Sequence, residues 1–269
     1  MLELLTFDFF KNALLAALLV SIACGAIGVL IMINRLFSMA GGITHGAFGG
    51  IGIAFYFSLP ILLSTSVFTL FLAFLLAYLS KHYEHRSDSI IAVIWAFGMA
   101  LGIVLIDLSP GYQSDLMAYL FGNILAVSTS DLLLMGFVDS VILVLLVLFY
   151  RQFEALSFDK EFSEVKGINT TFFYYLLIVM ITLCVVICIR LVGLILVMAL
   201  LSIPSFIAEN FTKNLGQMMI LSAFLSMLFC VLGLILSYYL NVASGACIII
   251  LACVGFALNL GFRAFSKSK

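Results

Sequence analysis

The chain has 269 residues, of which 65% are hydrophobic and only 9% are charged, and its formal net charge is −1. Soluble domains contain about 45–50% apolar residues, so this composition excludes an ordinary soluble fold. No polar block is long enough to form a separate domain in water. We therefore expect one all-α membrane domain over residues 1–269, in contact with membrane lipid and with no nucleic-acid partner.

A membrane-spanning helix needs about 20 residues, because each residue rises about 1.5 Å. Nine apolar segments meet this requirement and predict a polytopic bundle of about nine transmembrane helices. They cover residues 14–33, 43–59, 60–79, 90–106, 132–150, 171–189, 191–208, 218–240 and 246–262. One helix over 171–208 would be about 57 Å long, so we predict a break near Arg190 and Gly193. The acidic N-terminus lacks the basic start of a signal peptide, so we expect the first helix to be retained.

The basic residues predict the orientation of these helices, because Lys and Arg accumulate in cytoplasmic loops. With the N-terminus outside and the C-terminus in the cytoplasm, ten of the twelve basic residues lie inside, and only Lys11 and Arg190 lie outside. We expect this orientation in a bacterial-type plasma membrane. The outer side then carries more acids than bases, and its acids are Glu3, Asp8, Asp107, Asp115 and Asp131. This excess of negative charge either attracts a cation or belongs to an ordinary solvated rim.

The second predicted span contains a histidine, His45, and a row of glycines. Gly42, Gly46 and Gly50 recur every four residues, so they share one helix face and predict close packing against a neighbouring helix. An ionisable group inside a span is by default a functional candidate. His45 is thus a functional candidate, with a satisfied packing histidine as the alternative.

A second ionisable residue, Asp139, lies about eight residues, or roughly 12 Å, inside the fifth predicted span. Two interpretations remain open. Asp139 adds a carboxylate to a transport path, or the span begins later in the sequence and leaves Asp139 near the membrane interface. The six cysteines lie in apolar segments and are expected to be buried small hydrophobic residues. Cys184 and Cys188 share a helix face, which leaves a thiol metal pair open.

Motifs for chemistry within the chain are missing from the sequence. It contains no Gly-Lys-Ser or Gly-Lys-Thr phosphate loop, no His-Glu-x-x-His and no Gly-x-Ser-x-Gly. We expect a protein that is not an enzyme and binds no permanent cofactor. Uphill transport would then depend on an ion gradient or on a separate ATPase chain.

The segment from Arg190 to Phe211 combines Val-Gly, a run of aliphatic residues and Ile-Pro followed by small residues. It resembles the signature of the zinc/manganese-type ABC permeases. Four further stretches are similar to the same family in the same order, at Thr44-His45, 88–93, 119–125 and 240–246. The resemblance covers nearly the whole chain, from Ile33 to Leu260. It implies a type II ABC importer fold.

The resemblance also implies the partners: two cytoplasmic ATPase subunits, a second permease copy or paralogue, and an external metal-binding protein. It implies zinc or manganese, or iron, as the transported ion. The family's coupling helix corresponds to residues 204–216, where we expect Pro204 to end the seventh span. The expected ATPase contacts within it are Pro204, Ser205, Phe206, Glu209, Asn210 and Phe211.

One position departs from the family pattern. Family members commonly carry an Asp four residues before the histidine, where this chain has Gly41. The missing carboxylate leaves His45 as a weak ligand or a gate. A permease for metal chelates or cobalamin-like cofactors, and a gradient-driven carrier without an ATPase, remain the alternative functions.

Overall fold

The structure, a computed structural model, describes residues 8–109, 122 and 124–267. Within them the chain forms eleven α-helices and no β-strand. In chain order these are α1 Asp8–Ile33, α2 Phe37–Tyr56, α3 Ile61–His82, α4 Ser87–Asp107, α5 Thr129–Leu148, α6 Tyr150–Phe158, α7 Lys160–Val165, α8 Thr170–Val192, α9 Leu194–Glu209, α10 Leu215–Leu240 and α11 Ser244–Lys267.

Nine of these helices correspond to the nine predicted spans, and α6 and α7 are two short additional helices. Seven are long and apolar enough to cross a membrane: α1, α3, α4, α5, α8, α10 and α11. The chain is thus a multi-pass membrane protein. Of the other two, α9 is shorter, with 16 residues, and α2 is rich in glycine and mostly buried.

The helix ends follow from local residue chemistry. At α5, Ser128 and Asp131 form a reciprocal capping box, and Asn169 and Asn214 accept backbone N–H groups at the first turns of α8 and α10. Gly193 ends α8 with a φ of 80°, a backbone angle that side-chain-bearing residues rarely adopt. The predicted break between the sixth and seventh spans is thereby confirmed.

Two groups of helices make up the bundle. Helix α2 packs between α3 and α4, while α1 packs against α10, α9 and α5. Helix α8 contacts α3, α2, α5 and α1, and α9 contacts α1, α10, α11 and α2. The interior helices α2, α8 and α9 therefore join the two groups and position the residues considered next.

Candidate ion pathway and coupling segment

His45 lies near the middle of α2 and is half-buried. Its imidazole stacks on the indole of Trp95 from α4, with ring centroids 4.2 Å apart and planes 9° apart. The Trp95 Nε1–H donates to the sulfur of Met99 at 3.1 Å. The buried Nδ1 of His45 has no hydrogen-bond partner among the described residues. The ring plane is therefore fixed by stacking, while a nitrogen that can bind a metal remains unpaired.

The position one turn before His45 borders a different helix. A Cβ placed on Gly41 would lie 3.5 Å from the methyl carbon of Met198 and 3.9 Å from the Trp95 ring. These are ordinary contact distances, so a Cβ fits here without displacing its neighbours. Met198 belongs to α9, and α9 thus reaches the face of α2 that carries the imidazole.

The glycines of α2 lie where neighbouring helices come closest. A Cβ on Gly42 would lie 2.7 Å from Ile91 of α4, and one on Gly50 would lie 2.8 Å from the Thr65 Cα of α3. Gly46 faces Leu72 of α3 and also the backbone of Gly98 in α4. In addition, the Ser64 hydroxyl donates to the Gly50 carbonyl at 2.9 Å. Small residues here let backbones approach closely, which holds the helix that carries His45 in place.

The helix that carries Asp139 begins earlier than the predicted span, and not later. Helix α5 begins at Thr129 under its Ser128 cap, ten residues before Asp139, so the carboxylate lies about 15 Å along the helix. The side chain is buried, and neither carboxylate oxygen has a hydrogen-bond partner among the described residues. Helix α5 packs on α1 and α8. The buried Asp139 thus belongs to the helix that meets α1 and α8 in the interior of the bundle.

A cavity of about 350 Å³ opens at one end of the bundle, which we call the Arg35 end. Its lining includes Arg35, Lys81, Lys160 and Asp88. Three bases against one acid disfavour a divalent cation in this cavity. The cavity does show that these three basic residues, which the sequence assigns to one side of the membrane, lie at the same end.

The opposite end, called the Arg190 end, carries a smaller cavity of about 230 Å³ between α2, α3 and α8. Arg190 lines it and forms an ion pair of 2.7 Å with Asp131 at the start of α5. Lys11 pairs with Asp8 at 3.0 Å. Both basic residues that the sequence places outside are therefore neutralised by neighbouring acids. Of the other predicted outer acids, Asp107 is exposed, and Glu3 and Asp115 lie outside the described residues.

The segment predicted to couple to the ATPase differs from expectation in shape. Pro204 lies inside α9 and does not end it, because the helix continues to Glu209. The Ser205 hydroxyl donates to the carbonyls of Leu201 and Ser202 in the preceding turn of the same helix, at 2.7 and 2.9 Å. No separate short helix covers 204–216; after Glu209 the chain turns and α10 begins at Leu215.

The burial of the predicted contact residues divides them into two groups. Pro204 and Ser205 are buried, and the Phe206 ring packs on Phe256 of α11 at 5.1 Å. Pro204 and Ser205 thus have little surface in this chain, and Phe206 is half-buried. Glu209 is exposed, Asn210 is half-buried and Phe211 is 60% exposed. The surface available to a partner is thus the turn at the end of α9.

Two of the sequence stretches that carry the resemblance meet in space. Gly122 has a φ of 70°, and a Cβ there would overlap the backbone of Val192 and Gly193. The rest of its stretch, except Ile124 and Leu125, lies outside the described residues. The contact joins the loop before α5 to the turn between α8 and α9, so only glycine fits at position 122.

Comparison with known proteins identifies the family. The profile of the ABC 3 transport family matches residues 6–263. The chain belongs to this family. As a member of the ABC 3 transport family it is a transport subunit and not an enzyme, which agrees with the missing catalytic motifs.

Relatives match over nearly the full length of the chain. An uncharacterized membrane protein of Synechocystis sp. is 44% identical over 98% of this chain and 94% of its own. The manganese transport system membrane protein MntC of Halalkalibacterium halodurans is 33% identical over 97% of this chain and 89% of its own. The solved structure of PsaBC from Streptococcus pneumoniae in complex with Fab is 34% identical, with a TM-score of 0.86, and covers 95% of this chain and 92% of that chain. The fold is therefore that of this ABC permease.

Two residues at the site escaped the sequence reasoning. Trp95 is the only tryptophan in the chain and lies inside a span, a signal that singles it out for attention. Met198 carries no comparable signal, because methionine is common in apolar helices. Their contacts with His45 and Gly41 require the packing of three helices.

Proposed function

We propose that this ABC 3 family chain is the permease subunit of an ATP-driven importer of divalent metal ions, with manganese favoured over zinc and iron. The observation that carries the proposal is the His45 imidazole, held near the middle of α2 against Trp95, with a buried nitrogen that has no partner among the described residues. Manganese is favoured because a relative at 33% identity over nearly the whole chain is named a manganese transport protein. A single imidazole without a nearby aspartate would bind weakly, which suits an ion that must leave again.

The proposed orientation places the Arg190 end outside and the Arg35 end in the cytoplasm. It follows from the positive-inside rule, supported by the clustering of Arg35, Lys81 and Lys160 around one cavity. The external metal-binding protein would then dock at the Arg190 end. The turn after Glu209 would face the cytoplasm.

We infer that the ATPase acts on the ion path through α9. The exposed Glu209 and Phe211 form the contact surface at one end of this helix, and Met198 borders Gly41 near its middle. Eleven residues separate Met198 from Glu209, a distance of about 16 Å along a helix. Because α9 is continuous through Pro204, a displacement of its cytoplasmic end is transmitted to the helix face that carries His45.

The proposed assembly contains two ATPase subunits and a second permease, either identical or a paralogue. Apolar side chains remain exposed along the single chain, among them Phe71, Val93, Phe97 and Leu133. In the membrane such faces are covered by lipid or by the second permease.

The function is tested by radioactive manganese uptake into cells that express the full transporter, with zinc, iron, metal chelates and cobalamin as competitors. The variant is His45→Ala and its matched control is His82→Ala, at an exposed histidine at the end of α3. We expect His45→Ala to impair uptake strongly while the ATPase still co-purifies. Uptake equal to that of the His82→Ala control would make His45 a packing residue. If only metal chelates or cobalamin compete with manganese uptake, the proposal of a free-ion importer is wrong and a permease for chelates or cobalamin-like cofactors replaces it.

The coupling surface is tested separately by ATPase co-purification. Phe211→Ala should weaken recovery of the ATPase, while Phe57→Ala, at a residue 61% exposed just after α2 at the opposite end, should not. A wild-type chain that moves manganese without any associated ATPase would instead favour a gradient-driven carrier.

A further inference from the structure

Three buried thiols from two helices converge in the interior of the bundle. Cys184 and Cys188 lie one turn apart on α8, and Cys24 reaches them from α1. All three sulfur atoms lie within 4.8 Å of one another, and the sulfurs of Cys24 and Cys188 are 4.0 Å apart. Each residue is fully buried. The sequence reasoning considered only the α8 pair.

The spacing of the sulfurs matches that of a metal site. A zinc–sulfur bond of about 2.3 Å places sulfur ligands about 3.8 Å apart in a tetrahedral site and about 4.0 Å apart in a trigonal one. The three thiols therefore need to move by less than about 1 Å to enclose an ion. These cysteines are free thiols. A disulfide would require a sulfur–sulfur distance of about 2.05 Å, which is far shorter than the distances here.

A second, independent feature points into the same region. Asp139 of α5 is only 4% exposed, and neither of its oxygens has a hydrogen-bond partner among the described residues. Burying a carboxyl group without a partner is costly. Helix α5 packs against α1 and α8, the two helices that carry the thiols. A cation held by the thiols would offset this cost as a neighbouring opposite charge.

The chemistry of the ligands determines the class of ion. Thiolates favour thiophilic cations, whereas manganese favours oxygen ligands. Three thiolates leave one net negative charge on a divalent ion and two on a monovalent ion, so the low-dielectric interior favours the divalent ion. On binding, each thiol releases one proton, and affinity falls as the pH is lowered.

We propose that Cys24, Cys184 and Cys188 form a three-thiolate site for a thiophilic divalent cation such as zinc or cadmium, with Asp139 beside it. A bound ion joins α1 to α8. The site uses helices other than α2, which carries His45. The inference is independent of the proposed transport function, because it concerns a bound ion and not the cargo.

The test is cadmium binding to the purified full chain, after treatment with reductant and chelator. We expect one cadmium per chain, a cadmium–thiolate charge-transfer absorption in the ultraviolet, and a ¹¹³Cd resonance typical of three sulfur ligands. The resonance uses the wild-type chain alone, so it decides the matter even where a cysteine variant fails to fold. A resonance typical of oxygen and nitrogen ligands, or no stoichiometric binding, overturns the proposal.

Variants then assign the ligands. Cys24→Ser, Cys184→Ser and Cys188→Ser should each abolish the charge-transfer absorption. Cys247→Ser is the matched control, because Cys247 is also buried but lies outside the cluster. An absorption that survives all three cluster variants, or that is lost in the control, contradicts the assignment.

Discussion

The contact between α2 and α4 provides the sharpest test of the packing. A Cβ on Gly98 would lie 2.7 Å from the Gly46 Cα and 3.0 Å from the Gly46 carbonyl oxygen. Carbon atoms in favourable contact are about 3.5–4.0 Å apart, so Gly98→Ala forces α4 away from α2 by about 1 Å. Overpacking of this kind costs about 1–3 kcal/mol.

A matched control separates this overlap from the general effect of replacing glycine. Gly136 of α5 has no atom within 4 Å of its added Cβ, so Gly136→Ala gains helix propensity of up to about 1 kcal/mol without a clash. We therefore expect the unfolding midpoint of the purified Gly136→Ala chain to equal or exceed that of the wild type. The midpoint of the Gly98→Ala chain should be clearly the lowest of the three. The same shift should disturb the His45–Trp95 stack, because Gly98 lies one turn from Trp95 on α4.

The fluorescence of the single tryptophan reports this second effect directly. We expect a changed Trp95 emission in the Gly98→Ala chain and wild-type emission in the Gly136→Ala chain. Equal midpoints and equal emission in the two variants would refute the close backbone contact and with it the packing argument for the glycine row.

Three further outcomes are expected. Gly122→Ala should lower the unfolding midpoint more than Gly167→Ala, because both residues have a positive φ but only Gly122 also meets a neighbouring backbone. Gly41→Asp should fit and should increase retention of manganese by the purified chain, whereas Gly41→Asn should not, because only the aspartate adds a charge one turn before the imidazole. Arg190→Gln should cost no more than about 1 kcal/mol, since the Arg190 side chain is 43% exposed. Added salt should also weaken the ion pair between Arg190 and Asp131 in the wild-type chain. A double-mutant cycle with Asp131→Asn measures the interaction energy of this pair.

The helices were predictable because their signals are local. Apolar runs predicted the nine helices other than α6 and α7, and Gly193 marked the end of α8. The glycine row on α2 was visible as a period of four residues, although the sequence could not say that α3 and α4 are the helices that approach it.

Pro204 shows where local reasoning fails. Proline removes a backbone donor and commonly ends a helix. In this chain α9 continues past Pro204 because it is packed against α1, α10 and α11, whose contacts hold it in place. The decisive contacts come from residues far away in sequence, which the Ile-Pro pattern does not report.

The cysteines show the same limit more strongly. Cys24 lies 164 residues from Cys188, so no spacing rule could join them. Asp139 was recognised as unusual, but its neighbours were not, because they depend on α5 packing against α8. Long-range convergence of helices, and not residue type, makes these residues a candidate site.

Gly41 links the sequence anomaly to the proposed mechanism. An aspartate one turn before the imidazole would hold an ion tightly between a carboxylate and an imidazole, and release would require breaking both contacts. With glycine, the space beside the imidazole is bordered by the Met198 methyl group instead. Met198 lies on the helix whose exposed end is the proposed ATPase contact. Release of the ion would then depend on the position of α9 more than on the strength of its ligands. Met198→Ala should therefore raise ATP hydrolysis that is not coupled to transport. An unchanged ratio of hydrolysis to transport would show that α9 does not act on the ion path.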